Sequence, residues 1–264
     1  MRTVKELEQA LFELAPAHMK EDWDNVGLLC GHEDAAVSRV LVALDPFLPV
    51  AREAVEKGAQ LLVTHHPLIF FPAKTVNDRE PVGQTILHLI EHGVAAVNMH
   101  TNLDSAPGGV NDVLAKALGL TEIGVLAPAG EDEQGRPYGL GRYGTLKAEC
   151  ALPDFLERVK TALHCDGVRY ADGGKPAHKV AVGGGACGEF IKTALALGCD
   201  TFVTADLKYN QFADARDLGL NLIDAGHYPT ENLVCETMAR YLETRFPDLE
   251  ILRSTVHEDV VKFG

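Results

Sequence analysis

Two stretches of this chain repeat one another in a frame that alternating strands and helices satisfy. Val40, Gly58, Val63 and Thr64 recur without a gap as Val180, Gly198, Val203 and Thr204, 140 residues later. Gly93-Val94-Ala95-Ala96-Val97-Asn98 then resembles Gly219-Leu220-Asn221-Leu222-Ile223-Asp224 at a spacing of 126. The difference between the two spacings gives the first copy 14 extra residues, in a stretch that carries Pro67, Pro72 and Pro81. Short apolar runs separated by amphipathic segments imply an α/β fold with mainly parallel sheets. A chance match of glycine-anchored apolar strands is the alternative to an internal duplication.

The predicted elements follow the same alternation. Thr3 caps a first helix, with Glu6 three residues on and Leu7, Leu11 and Leu14 at helical spacing. Strands are expected over 40–44, 61–64 and 94–98, and helices over 50–57, 84–91 and 110–118. Residues 67–83 read as a long surface loop. The acidic, glycine-flanked segment 130–135 marks the expected boundary between a first lobe, 1–129, and a second, 130–264. Beyond it, strands are expected over 143–147, 168–170, 180–183, 201–204 and 220–224. Helices are expected over 153–163, 189–197, 210–218 and 230–244.

Composition narrows the function classes. With 24 basic and 38 acidic residues the net charge is −14, which opposes direct binding to a nucleic-acid backbone. The six cysteines are scattered without a C-x-x-C pair, and the first residues carry acidic and polar groups where a signal peptide needs an apolar run. No stretch approaches 18 uninterrupted apolar residues, so no membrane span is expected. A cytoplasmic location is expected.

Polar residues that carry chemistry cluster just after the apolar strands, where loops line the ligand crevice of an open parallel sheet. Leu61-Leu62-Val63-Thr64 runs into His65-His66-Pro67, and Pro67 helps end the strand there. Two adjacent imidazoles diverging at a strand tip suit two different ions; the alternative is one buried, hydrogen-bonded ring and one facing water. His100 and Asp104 follow the next strand, while His227 and Glu231 follow its counterpart in the second copy. Asp104 also fits a turn or helix start, and Glu231 also fits the dipole of a helix first turn. His100 is a third ligand, a proton carrier or a support for the site. Taken together, the imidazoles and carboxylates make a nitrogen–oxygen site for two borderline divalent ions such as Zn, Fe, Mn, Co or Ni. Trp23, among acids, either rims a pocket or packs in a loop. Gly183-Gly184-Gly185 weakly resembles a phosphate-cradling turn. Lys208 and Tyr209 contact substrate or lie on an ordinary surface.

Five segments, in this order, resemble the YbgI-like family, often labelled type 2 GTP cyclohydrolase I and also NIF-three-like. They are Trp23-Asp24-Asn25-Val26-Gly27-Leu28, Thr64-His65-His66-Pro67, His100-Thr101-Asn102-Leu103-Asp104, Asp206-Leu207-Lys208-Tyr209 and Gly226-His227-Tyr228-Pro229-Thr230-Glu231. The chain is similar to the short form, without the extra central domain of some members. The resemblance implies two similar, duplicated α/β lobes enclosing a dinuclear metal site, and a ring-like, toroidal homohexamer. It assigns metal ligation to His65, His66, Asp104, His227 and Glu231, and implies hydrolytic attack at C8 of GTP or a related purine, with His100 moving protons. The competing reading is a non-catalytic metal-trafficking or metallocofactor-assembly protein. A regulatory scaffold is the third.

Overall fold

The computed structural model describes residues 2–264. By internal contacts the chain divides into two compact units. The first takes the chain up to Leu103 together with Val234–Glu258, and the second takes Asp104–Leu233 and Asp259–Gly264.

In the first unit, β1 (Arg2–Thr3) leads into α1 (Val4–Leu14), followed by β2 (Gly27–Cys30), β3 (Ala36–Val37), β4 (Arg39–Ala43), α2 (Leu48–Glu56), β5 (Leu61–Thr64), α3 (Pro81–Glu91) and β6 (Ala95–Asn98). The expected capping box forms at α1: the Glu6 amide donates to Thr3 Oγ1 at 3.3 Å and the Thr3 amide donates to Glu6 Oε2 at 2.8 Å. Val4, Leu7, Ala10 and Leu11 are the face it buries. α3 begins three residues earlier than its periodicity suggests, because Pro81 enters the first turn, where no amide is needed.

The chain leaves this unit within α4 (Thr101–Ser105). The second unit then runs through α5 (Val110–Ala117), β7 (Thr121–Glu131), β8 (Pro137–Cys150), α6 (Leu152–Leu163), β9 (Arg169–Ala171), β10 (Ala177–Val182), α7 (Ile191–Ala196), β11 (Thr201–Thr204), α8 (Tyr209–Asp217), β12 (Asn221–Asp224) and α9 (His227–Glu231). α10 (Leu233–Arg245) and β13 (Glu250–Arg253) bring the chain back to the first unit.

Each unit is built on a sheet with a parallel core. The first has the order β13-β4-β5-β6-β2 and the second β7-β8-β10-β11-β12-β9. Within the first trio Val42 pairs Val63 and Val63 pairs Val97; within the second, Val182 pairs Val203 and Val203 pairs Ile223. Those matched positions carry the same offsets of 140 and 126 residues read in the sequence. An antiparallel strand borders the last parallel strand of each trio, β2 on β6 and β9 on β12. β5, β6, β11 and β12 are buried along their whole length, which is why they read as short apolar stretches with polar residues only at their ends. Gly58 and Gly198, the anchors of the repeat, both take positive φ (67° and 76°) where a helix stops before the next strand.

Two features of the division differ from the sequence expectation of lobes 1–129 and 130–264. Segment 130–135 lies at the tip of the antiparallel β7–β8 hairpin, inside the second unit, where Asp132 Oδ1 accepts the amides of Gln134 and Arg136. The C-terminal segment joins the first unit, where β13 pairs parallel with β4 and completes that edge of the sheet. Glu53 holds the chain after β13 by accepting from Ser254 and Thr255.

Candidate metal centre

His65, His66 and His100 come together in the first unit. β5 ends at Thr64 and β6 at Asn98, so the rings project from adjacent strand tips. Their ligand nitrogens lie within 4.8 Å of one another, and the ring centroids are 4.9 to 5.7 Å apart. The fully buried His65 donates from Nδ1 to the Met99 carbonyl at 2.8 Å. His66 Nδ1 donates to Asp45 Oδ1 at 2.7 Å, and Asp45 Oδ2 accepts from His257 Nε2 at 2.9 Å. His100 Nδ1 donates to Asp24 Oδ1 at 2.7 Å, and Asp24 Oδ2 accepts the Thr101 amide and hydroxyl.

The three rings thus share one arrangement. Donation from Nδ1 leaves the lone pair on Nε2, the tautomer that metal-ligating histidines use, with the outer oxygen setting ring orientation. Burial pushes the Asp24 carboxyl up, but the hydrogen bond and charge of His100 and the bonds from Thr101 outweigh it and hold it well below the usual carboxylate range. At Asp45 burial is likewise outweighed by the hydrogen bonds from His257 and His66. Both carboxylates therefore stay ionised and keep accepting from their imidazoles.

Asp104, His227 and Glu231 come together in the second unit. Asp104 and Glu231 are buried, with carboxylate oxygens within 4.8 Å of one another. His227 begins α9 and Glu231 ends it, so the i,i+4 spacing puts them on one helix face, with Nε2 3.0 Å from Oε2. His227 Nδ1 donates to Asp206 Oδ2 at 2.7 Å. Burial works against the charged His227 ring, but the hydrogen bonds with Asp206 and Glu231 outweigh it and raise it to about 11. Asp206 occupies the repeat position of His66, so the same frame supplies an imidazole in one unit and an imidazole-bracing carboxylate in the other.

The glycine turn after β10 has a different role from phosphate binding. All three amides are used inside the protein: Gly183 donates to the Val203 carbonyl, Gly184 to Asn111 Oδ1 and Gly185 to Thr230 Oγ1, at 2.9, 2.9 and 3.1 Å. A Cβ on Gly185 would stand 2.3 Å from Glu231 Oε1. The turn is glycine-rich so that the backbone can pass under Glu231. Lys208 and Tyr209 are exposed at the start of α8.

Asp24, Asp45 and Asp206 accept from these imidazoles and His257 supports Asp45, roles that the sequence reading gave to none of them, although Asp24 and Asp206 stand in two of the family-like segments. Asp45 and Asp206 each follow a parallel strand by two residues, the same signal that marks His66. His257 carries no such local signal, since its partner is 212 residues away.

A family model described as Duf34/NIF3 (NGG1p interacting factor 3) matches residues 2–260. A Streptomyces coelicolor protein named GTP cyclohydrolase 1 type 2 homolog is 39% identical over 247 residues, covering 92% of this chain and 86% of that protein. A Clostridium acetobutylicum protein with the same name is 33% identical over 241 residues, covering 91% and 89%. Among solved structures, a Bacillus cereus protein related to NIF3 superposes with a TM-score of 0.94 at 27% identity, covering 100% of this chain and 99% of the other.

Proposed function

The chain belongs to the Duf34/NIF3 family, and from that premise we propose that it is a metal-dependent hydrolase acting on GTP or a related purine. In this reading His65, His66, Asp104, His227 and Glu231 hold two divalent ions between them. The observation that carries it is the bracing of the imidazoles: His65, His66, His100 and His227 each commit Nδ1 to a carbonyl or carboxylate oxygen. At His65, His66 and His100 such bracing sets ring orientation and tautomer for ligation through Nε2, while at His227 an ion would take the place of the Nε2 proton that faces Glu231. A donor set of nitrogen and oxygen without cysteine suits Zn, Fe, Mn, Co or Ni. Bound there, these ions supply Lewis acidity and orient oxygen groups of a substrate. His100, oriented by Asp24, exchanges protons with the substrate through Nε2. The purine class rests on the name of the relatives. A cytoplasmic setting and a toroidal homohexamer belong to the same proposal.

Elemental analysis with a metal-loaded turnover assay across a nucleotide panel tests this reading. Metal should co-purify, GTP or a related purine should turn over, and Glu231→Gln should lower metal per chain. GTP turnover that survives full metal removal would overturn it. Readily exchanged metal with no turnover on any nucleotide would instead assign the chain to metal trafficking or metallocofactor assembly.

A further inference from the structure

The segment Trp23-Asp24-Asn25 builds a feature that metal ligation does not use. Trp23 is 60% exposed, Phe70 44% and Phe71 77%, although burying large aromatic side chains is strongly favourable. Trp23 meets His100 edge-on with centroids 6.2 Å apart and an interplanar angle of 75°; Phe70 does the same at 6.0 Å and 77°. Trp23 and Phe70 lie 5.7 Å apart at 63°, and Phe71 meets Phe70 at 4.7 Å and 86°. These rings stand as walls beside the histidine cluster.

Polar contacts that also serve the cluster hold the walls in place. Asp24 anchors His100 through Oδ1, and the same oxygen accepts the Asn25 amide at 2.8 Å. Asn25 Nδ2 donates to the Ile69 carbonyl at 2.9 Å, tying down the residue before Phe70, while Asn98 Nδ2 donates to the Asn25 carbonyl at 2.8 Å. The loop that carries Trp23 and the loop that carries Phe70 are therefore fixed to the end of β6 and to each other.

We propose that Trp23, Phe70 and Phe71 form a stacking rim that binds the flat heteroaromatic ring of a small-molecule ligand beside His100. Trp23 and Phe70 abut His100 itself, which favours a small ligand at the histidine cluster over a protein partner, whose stable interfaces bury on the order of 1,200–2,000 Å². Aromatic walls next to metal-competent imidazoles fit a ligand with a planar base at one end and polar groups at the other. The proposal rests on the purine reading above and names the residues that recognise the base.

Trp23 is the only tryptophan in the chain, so its emission reports on this rim alone. GTP, guanosine and inorganic triphosphate are titrated into metal-loaded and chelator-stripped protein while tryptophan emission is recorded. A saturable change with GTP and guanosine, and none with triphosphate, is expected. Phe70→Leu, which keeps an apolar side chain but removes the ring, should weaken guanosine binding about tenfold, with metal per chain and thermal midpoint unchanged. The rim is overturned if guanosine produces no saturable change, if triphosphate acts as well as GTP, or if Phe70→Leu binds guanosine as the parent does. It is also overturned if the emission change tracks self-association by light scattering, which would give the rim to a second copy. Guanosine bound by the stripped protein supports the rim even where GTP turnover fails, so the two readings fail separately.

Discussion

Gly185→Ala should damage metal binding in a way that its effect on stability does not explain. Gly185 has φ +63, a conformation that costs an alanine about 1–2 kcal/mol. That strain alone should lower the thermal midpoint by about 2–8 °C. The new Cβ would also stand 2.3 Å from Glu231 Oε1 and 3.0 Å from His227 Nε2, where real Cβ contacts essentially never fall below 3.0 Å. Glu231 Oε1 must therefore retreat by at least about 0.7 Å, several times the roughly 0.2 Å that a metal–ligand distance tolerates. A loss of about tenfold or more in metal affinity should follow. Gly174→Ala is the control: its φ is +77, and an added Cβ meets nothing within 4 Å. As stripped proteins Gly174→Ala should lose the strain term and Gly185→Ala at least as much, while only Gly185→Ala loses metal by elemental analysis after dialysis against a weak chelator. Equal metal retention in the two would refute the argument that this turn is shaped around Glu231.

The bracing carboxylates give a second expectation: Asp45→Asn and Asp24→Asn should each weaken metal binding about 10- to 100-fold by competition titration, with the fold unchanged by circular dichroism. Arg142 is buried and donates to Asp112 and to the carbonyls of Gly139, Gly141, Ser105 and Ala106. Arg142→Met should cost about 3 kcal/mol in denaturant unfolding, since it leaves the half-buried Asp112 without its ion partner and four carbonyls without their donor. Glu53 supplies the pH dependence. Burial pushes its carboxyl up, but hydrogen bonds from Lys57, Ser254 and Thr255 outweigh it and lower it to about 2. Because the folded value lies below the unfolded one, this stabilisation is complete above about pH 4.5 and is lost as pH falls toward 2. It amounts to at most about 3 kcal/mol, and Glu53→Gln should flatten acid unfolding across that window, followed by circular dichroism against pH.

Much of the fold was legible because the signals were local. A parallel strand buried on both faces leaves an apolar run, and a helix ended by glycine leaves its stop in the same few residues; the trio at 61–64, 201–204 and 221–224 shows both. Segment 130–135 reads as a boundary in the sequence because the acidic, glycine-containing tip of the β7–β8 hairpin has the composition of a linker. Pairing between distant residues leaves no such trace. β13 meets β4 with Glu250 opposite Arg39, and His257 reaches Asp45 across a comparable separation, so neither could be read along the chain.

The candidate site divides along the same line. By itself the sequence determined which polar residues follow the parallel strands, because strand ends and the residues after them are contiguous: His65, His66, His100, Asp104, His227 and Glu231 stand out as candidates in this way. Tertiary structure alone decided what orients them. Asp24 reaches His100 across 76 residues and Asp45 reaches His66 across 21. The glycine turn of β10 passes beneath Glu231 rather than offering amides to a phosphate. A hydrogen bond depends on a separation held to within a few tenths of an ångström between groups that lie far apart along the chain, and only packing sets that separation.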